Sequence, residues 1–426
     1  MSKKFPDILI ILLFVFVLTN HLPAPPECQA MDRRPSPETP AAITMEDNTI
    51  YQNGRAGLRI RGNTPVEVSN CTLYNNGRTG LNLEQQADVL VRNSSIHHNE
   101  LGGISLNDIK WIQIENNKIH QNGKAGVRIR KSSHSQDRSS TVIVNKNRIF
   151  LNNAGGIHTI PTAEASIQLT VTDNTINGNK RGGIRVENNT ILTAAHNRIF
   201  SNGTAGIASF AAESSSPFLN LYQNRIYFNQ GSGIHIDSGV TGEFGISNNW
   251  IYNNHRAGIS CGLWKGTGDD LVDIVILHNT IVANGSNDLG AGIRNDSDGD
   301  VIIYNNIVAY NFATGILNNN CSDASYNLLF ANWETSSFDE ASDNTIFQTE
   351  KEQYSGCSGR AKGDLITEPM FNDPDNYDFT LTKDSPARGA AKTMTSPPFS
   401  SFANDMGVVA PFAGKHQTES SSNKGN

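Results

Sequence analysis

Apolar residues in this chain come in short runs of period two, set apart by asparagine and glycine. In Asn117-Lys118-Ile119-His120-Gln121-Asn122-Gly123-Lys124-Ala125-Gly126-Val127-Arg128-Ile129, a lone Ile119 sits among polar residues, and Val127 and Ile129 flank Arg128. Such alternation predicts short strands with one side inward and the other in solvent. The block recurs as Asn-x-Ile-x-x-Asn-x-x-x-Gly-[Ile/Val/Leu]-x-[Ile/Leu]. Its glycine falls at Gly57, Gly80, Gly103, Gly126, Gly156, Gly183, Gly206, Gly233, Gly258, Gly292 and Gly315. Half of the spacings are 23 residues, and they stretch to 34 between Gly258 and Gly292. An asparagine stands four residues ahead of most of these glycines: Asn53, Asn76, Asn99, Asn122, Asn152, Asn179, Asn202, Asn229, Asn254 and Asn311.

Strands this short cannot build a core alone. They can if each copy is one rung of a coil, with equivalent positions stacked at about 4.8 Å, the strand spacing within a sheet. About 11–12 coils then give a rod on the order of 50 Å long, in which each rung stabilises its neighbours. A 23-residue rung suits three strands and three turns, and the chain lacks the Leu-x-x-Leu-x-Leu pattern of a leucine-rich repeat. The expected fold is all-β: a right-handed parallel β-helix over residues 42–330. The glycines are expected to supply positive φ or close approach at a tight corner. The asparagines are expected to tolerate left-handed backbone and to bond rung to rung. A second such column runs Asn48, Asn117, Asn147, Asn174, Asn197, Asn224, Asn249, Asn279, Asn306 and Asn327, with Cys71 and Ser94 at the equivalent place in the second and third rungs.

On this motif the chain resembles the right-handed β-helix repeat proteins of the pectate-lyase-like superfamily, which includes the NosD-type copper-maturation accessories. The resemblance implies the fold over residues 42–330. For function it implies a choice among polysaccharide lyases, hydrolases and epimerases on one side and adhesins or accessory proteins on the other. No catalytic motif specific to one enzyme class is recognisable, so both sides stay open.

Outside the repeat the chain changes character. Lys3 and Lys4 precede an apolar run from Ile8 to Leu18, and Cys28-Gln29-Ala30 supplies small residues for a cut after Ala30. Residues 1–30 therefore read as a signal peptide, too short in its apolar core for a membrane span, so that the mature chain is secreted, periplasmic or at the cell surface. Residues 31–41 read as a Pro-rich linker. No N-terminal capping helix of the kind usual in the resembled proteins is evident, which leaves the first coil free for self-association. Longer insertions fall at 131–140, 261–273 and 286–288, and such insertions are expected on one face of the rod. Residues 331–415 form an irregular C-terminal cap, expected to plug the end of the rod, and 416–426 a disordered tail.

Charge and cysteines narrow the partners. The net charge is −7, and Lys3, Lys4, Asp7 and Glu27 cancel within the signal segment, so the mature chain is mildly acidic and unsuited to nucleic acid. Cys71 and Cys261 fall within the repeat as small buried apolar residues, and Cys321 and Cys357 flank the irregular C-terminal region, where an oxidising compartment would allow a disulfide that the sequence alone does not establish.

Candidate chemistry lies on one outward face. If the residue after each repeat glycine points inward, the next points out, giving Arg59, Asn82, Ser105, Arg128, His158, Arg185, Ala208, His235, Ser260, Arg294 and Leu317. A parallel row two residues on holds Arg61, Glu84, Asn107, Arg130, Ile160, Glu187, Phe210, Asp237, Gly262, Asp296 and Asn319. Such a face suits an anionic polysaccharide or cell-surface glycan, because arginine forks bind uronate carboxylates in bidentate fashion. Arg128, Arg130, His158 and Glu187 are the expected substrate-binding residues. His235, Asp237 and Arg185 are the expected catalytic ones, with a histidine as base and Arg185 as carboxylate clamp for proton abstraction beside that carboxylate. A hydrolase would use Glu187 and Asp237, two rungs apart and roughly 10 Å at the backbone. A solvated polar face with Arg–Glu cross-strand pairs is the competing reading and corresponds to a non-enzymatic scaffold protein. No metal site or other cofactor is expected. Calcium stays open at Asp296-Ser297-Asp298-Gly299-Asp300 and at Asp269, Asp270 and Asp273, which also read as ordinary turns. His97 and His98 read as solvated turn residues.

Overall fold

The computed structural model describes residues 43–85, 88–133, 138–210, 215, 217–237, 243–262, 273–286, 290–297, 301–312, 314–319, 323–332, 354–356, 362–393 and 404–408. The expected signal peptide, linker, Cys321–Cys357 pair and tail lie outside these residues, as do 298–300 of the expected calcium loop and Asp269 and Asp270. Among the described residues no helix is long and apolar enough to cross a membrane.

Three parallel sheets run the length of the rod. The first holds 12 strands, from Ile43–Glu46 to Asp323–Ser325; the second holds 13, from Thr49–Tyr51 to Leu365–Ile366; the third holds 12, from Leu58–Arg61 to Tyr354–Gly356. Each strand pairs with the strand one turn away, in unbroken register. Val127 faces Ile104 on one side and Ile157 on the other, and Ile119 faces Ile96 and Ile149. The inward residues form one continuous column-built core, including Ile96, Ile119, Ile149, Ile176, Ile199 and Ile226, all fully buried. Each such side chain contributes roughly 1.5–3 kcal/mol. No rung could bury its own isoleucines without the next, which is why the repeat must stack.

The corners explain the conserved spacing within this chain. Between first and second sheets the chain turns in two residues, such as Asn116 and Asn117; between second and third it usually takes six, as at 75–80, 98–103 and 121–126. Rung length varies chiefly at the corner from third to first sheet. That corner carries the insertions at 131–140 and 261–273, whereas the one at 286–288 sits between second and third sheets. The flanking strands thus assign the insertions to two different corners of the chain path.

The two asparagine columns are ladders. In the second corner Asn76, Asn99, Asn122, Asn152, Asn179, Asn202, Asn229, Asn254, Asn284, Asn311 and Asn332 bond in unbroken sequence, each Nδ2 donating to the next Oδ1 at 2.8–3.1 Å. Asn284 fills the place that the sequence reading left blank beside an insertion. In the first corner the ladder runs from Asn117 to Asn327 and ends where Asp364 Oδ1 accepts the Asn327 backbone N–H at 2.7 Å. Cys71 occupies a ladder position as a buried thiol lying 3.2 Å from the Ser69 carbonyl, and Cys261 is buried in the core, as expected of both.

The left-handed backbone falls elsewhere than expected. It sits on the residue before each ladder asparagine, for example Asn116 (φ 54°), Lys146 (φ 54°), Leu151 (φ 54°), Phe228 (φ 53°) and Tyr310 (φ 57°). The ladder asparagines themselves do not adopt it, and the repeat glycines serve close approach alone. A Cβ on Gly183 would lie 2.6 Å from both the Gly206 carbonyl oxygen and Ile199 Cγ2.

The C-terminal segment does more than end the rod. Leu365 and Ile366 extend the second sheet by pairing with Leu328 and Leu329, after which the chain folds back along the outer side of that sheet. Phe371, Phe379, Ala387 and Met406 pack there on Tyr227, Trp250, Tyr252, Val282, Ile307 and Phe330. The described part of the C-terminal segment is thus a lateral clamp. The outward second-sheet residues permit this because they become apolar in the last rungs. In the early rungs the same face carries a stacked column, Tyr51, Tyr74, His97, His120 and Phe150, with ring centroids 4.6–5.2 Å apart. His97 and His98 are thus not simply solvated: His97 stacks within that column, and its Nδ1 lies 2.8 Å from Nδ1 of His98.

One buried histidine ties the clamp to the rod. His278 Nδ1 donates to the Asp405 carbonyl at 3.1 Å, and Asn305 Nδ2 donates to Nε2 at 3.1 Å, an arrangement that requires neutral imidazole. Burial pushes its pKa down to about 4, against which the Asp405 carbonyl acts only in part. The unfolded chain, with histidine near 6.5, binds the proton first as pH falls. Stability from His278 is therefore full above about pH 6.5 and drains away toward pH 4, a loss of roughly 3 kcal/mol. Thermal unfolding followed from pH 7 to pH 4 should show this slope, and His278→Gln should flatten it.

Candidate functional site

The third sheet places the expected site residues as the repeat foretold. Arg128 faces His158 across one rung, His158 faces Arg185, Arg185 faces Ala208, and Ala208 faces His235. The second row sets Glu187 beside Phe210, with Asp237 just past the strand Ile234–Ile236. Alternation puts Val127, Ile129, Ile157, Ile184, Val186, Ile207 and Ile234 in the core, leaving these polar partners on the outside.

Glu187 organises the middle of the face. Its Oε1 accepts from His158 Nε2 at 2.9 Å and from Arg185 Nε at 2.7 Å, while its backbone N–H donates to Thr159 Oγ1 at 3.2 Å. The hydrogen bond from His158, joined by that from Arg185, holds the Glu187 carboxyl down to about 2 against the opposing effect of burial. It stays ionised throughout the physiological range and has no proton to donate as a general acid. The Arg185 guanidinium also lies over the Phe210 ring, 3.9 Å from its centroid, and Phe210 meets His235 edge-on at 5.9 Å. Phe210 thereby joins the two halves of the face. The sequence carried its one signal, an aromatic residue in a row otherwise rich in charge.

At either end the geometry differs. His235 is half-buried, and burial lowers its pKa, with Asp237 at 3.8 Å opposing the shift. The ring is therefore neutral near pH 7, with a lone pair available. Arg128 and Arg130 extend from the strand Val127–Lys131 on the other side, and among the described residues neither forms an ion pair with a carboxylate. Burial, and then Arg130, lower the Arg128 pKa, without bringing it near neutrality. Arg59 contrasts with both: it forms a fork with Glu84, 2.9 Å at the closest contact. The face thus divides into a self-neutralised early part, two open guanidiniums, a bonded His158–Glu187–Arg185 group, and a neutral imidazole.

Asp296 of the expected calcium loop is occupied within the protein, accepting from Arg294 and from Asn319. Among the described residues no three His, Cys, Asp or Glu side chains are grouped so as to hold a metal ion.

Comparisons with known proteins bear on the fold. Among solved structures, pectate lyase Pel9A aligns over 87% of this chain and 86% of its own, at 15% identity and a TM-score of 0.46. The periplasmic alginate epimerase AlgG aligns over 56% and 70%, at 15% identity and a TM-score of 0.35. A mutant of the PL6 family alginate lyase AlyGC aligns over 88% and 56%, at 14% identity and a TM-score of 0.36. No curated protein matches the sequence. The model of the family described as right handed beta helix region matches residues 38–168 and 166–268, together more than half of the sequence. The chain belongs to the right-handed β-helix family.

Proposed function

We propose that this protein is exported and binds an anionic, uronate-containing polysaccharide along the outward face of the third sheet. One observation carries the reading: Arg128 and Arg130 project from a single strand with no carboxylate partner among the described residues, beside an aromatic ring and two imidazoles on the following rungs. Guanidiniums so placed offer paired donors to a uronate carboxylate. Strands about 4.8 Å apart repeat that offer along an extended chain. His158 and Glu187 hold Arg185 in a fixed orientation, so the face is pre-organised and loses little side-chain freedom on binding.

Processing of the bound polymer is the finer part of the proposal. His235, neutral near pH 7, is suited to take the proton beside a uronate carboxylate, Asp237 at 3.8 Å offers a counter-charge to the resulting imidazolium, and arginine stabilises the charge that develops on the substrate. Lyase or epimerase chemistry follows from that arrangement more readily than hydrolysis, because Glu187 is held ionised and hydrolysis requires a protonated carboxyl.

Calorimetric titration with oligogalacturonate and oligoalginate, against dextran as neutral control, tests binding. The wild-type chain should bind at least one uronate oligomer and not dextran, with affinity falling as salt rises. Arg128→Ala and Arg130→Ala should each weaken binding about tenfold, equal to about 1.4 kcal/mol. Unsaturated product, followed by ultraviolet absorbance and absent in His235→Ala, is the result expected of a lyase. No binding of either uronate oligomer, or uronate binding that Arg128→Ala and Arg130→Ala leave unchanged, would favour a scaffold that engages protein partners.

A further inference from the structure

Away from this face, the corner between the second and third sheets is hollowed in the later rungs. A cavity of about 350 Å³ opens there, lined by Phe228, Gln230, Asn253, His255, Gly285 and Phe312 among others. That volume suits a small ligand. Among the described residues that line it there is no Lys, Arg, Asp or Glu, in contrast with the charged third-sheet face.

Three separate features build the cavity. First, the corner takes six residues at 75–80, 98–103, 121–126 and 253–258, but ten between Val282 and Ile293. There Gly285 (φ +94°) and Gly290 approach closely, since a Cβ on Gly290 would sit 2.3 Å from Gly285 Cα. Ser286 fastens the loop to the preceding rung by donating to the His255 carbonyl at 3.0 Å. Second, Phe228 occupies the left-handed position (φ 53°) that Gln52, Asn75, Leu151 and Tyr310 fill in other rungs, and the residue is 38% exposed. Third, the C-terminal clamp locks that ring in place. Tyr377, at the tip of the clamp's hairpin, meets Phe228 edge-on at 5.5 Å and stacks on Tyr252 at 5.3 Å, while Tyr227 meets Phe228 at 5.6 Å. A pre-set aromatic wall therefore stands beside amide and imidazole groups able to donate and accept hydrogen bonds.

We propose that this cavity is a subsite for a neutral sugar. The apolar C–H face of a pyranose would pack on the phenylalanine rings, and its hydroxyls would meet Gln230, Asn253 and His255. An uncharged, hydroxyl-rich ring matches both halves of the lining, whereas a uronate would bring a carboxylate to a lining whose described residues include no cation. The site stands independently of the third-sheet reading.

Saturation-transfer NMR on the full-length chain, with methyl pyranosides, cellobiose, maltose and xylobiose beside galacturonate, tests the assignment. At least one neutral sugar should receive saturation and titrate to a Kd. Phe228→Asn, which keeps the left-handed turn, should raise that Kd at least tenfold, and Gln230→Ala should raise it several-fold. Arg128→Ala should leave it unchanged, which separates this site from the third-sheet face. Circular dichroism melts confirm that the variants fold. Absence of transfer to every neutral sugar, unchanged affinity in Phe228→Asn, or galacturonate binding that Phe228→Asn abolishes would each overturn the proposal.

Discussion

Replacing Asn202 with alanine should destabilise the protein by roughly 3–5 kcal/mol, the range expected when a buried hydrogen-bond network is cut. Asn202 is fully buried, and its Oδ1 accepts both the backbone N–H of Asn179 at 3.1 Å and the Asn179 Nδ2 at 3.0 Å. Its Nδ2 donates to Asn229 Oδ1 at 3.0 Å and to the Ile176 carbonyl at 3.2 Å. Alanine removes four hydrogen bonds at once and leaves the Asn179 N–H facing a dry corner. Asn202→Asp should be at least as harmful, since it deletes the donors and buries a charge. Denaturant unfolding monitored by circular dichroism measures the loss. Asn48→Ala is the internal control, because that side chain is exposed and donates only to the Glu46 carbonyl at 2.7 Å. A loss under about 1 kcal/mol in Asn202→Ala would show that the ladder contributes far less than its geometry implies.

Gly183→Ala carries the second large effect, again roughly 3 kcal/mol or more. The new methyl would meet the Gly206 carbonyl oxygen and Ile199 Cγ2, both at 2.6 Å, inside any allowed contact. The oxygen belongs to the next rung and accepts the Ile184 N–H at 2.9 Å, so it cannot retreat without opening the third sheet. Overpacking of an interior this rigid costs about 1–3 kcal/mol, and the lost sheet bond adds to it. Gly54→Ala, with open space around the position, should change stability by less than about 0.5 kcal/mol. Thermal melts of the two variants side by side make the comparison, and equal melting points would refute the steric account.

The fold was readable because one repeat repeats its physics. Gly183 cannot become alanine and Asn202 cannot lose its amide, so those columns keep their identity from rung to rung, and identity is what a sequence displays. The face was readable for a related reason: period-two alternation from a fixed glycine determines which side chains emerge together. Arg128, His158, Arg185 and His235 accordingly stand in one row.

Features that vary from rung to rung were hidden. The left-handed position carries Asn116, Lys146, His196 or Tyr326 in different rungs, so no residue type marks it, and the corner geometry imposes the conformation regardless. The clamp was missed although the outward second-sheet positions shift from Thr72 and Lys118 to Trp250, Ile307 and Leu328, a change toward apolar character that signals a covering segment. The engagement of Arg185 by Glu187 depends on rotamers that spacing alone does not specify. Phe210 shows both limits, since its row was legible and its contact with Arg185 was not.

Hydroxyl-radical footprinting of the intact protein, with and without saturating oligogalacturonate, tests the central claim most directly. It reports protection at individual side chains and needs no turnover. The account predicts that His158, Phe210 and His235 on the third sheet become protected together, while Tyr74 and His97 on the second sheet keep their reactivity. Protection of the second-sheet column instead, or an unchanged pattern under conditions where titration shows the oligomer bound, would contradict it.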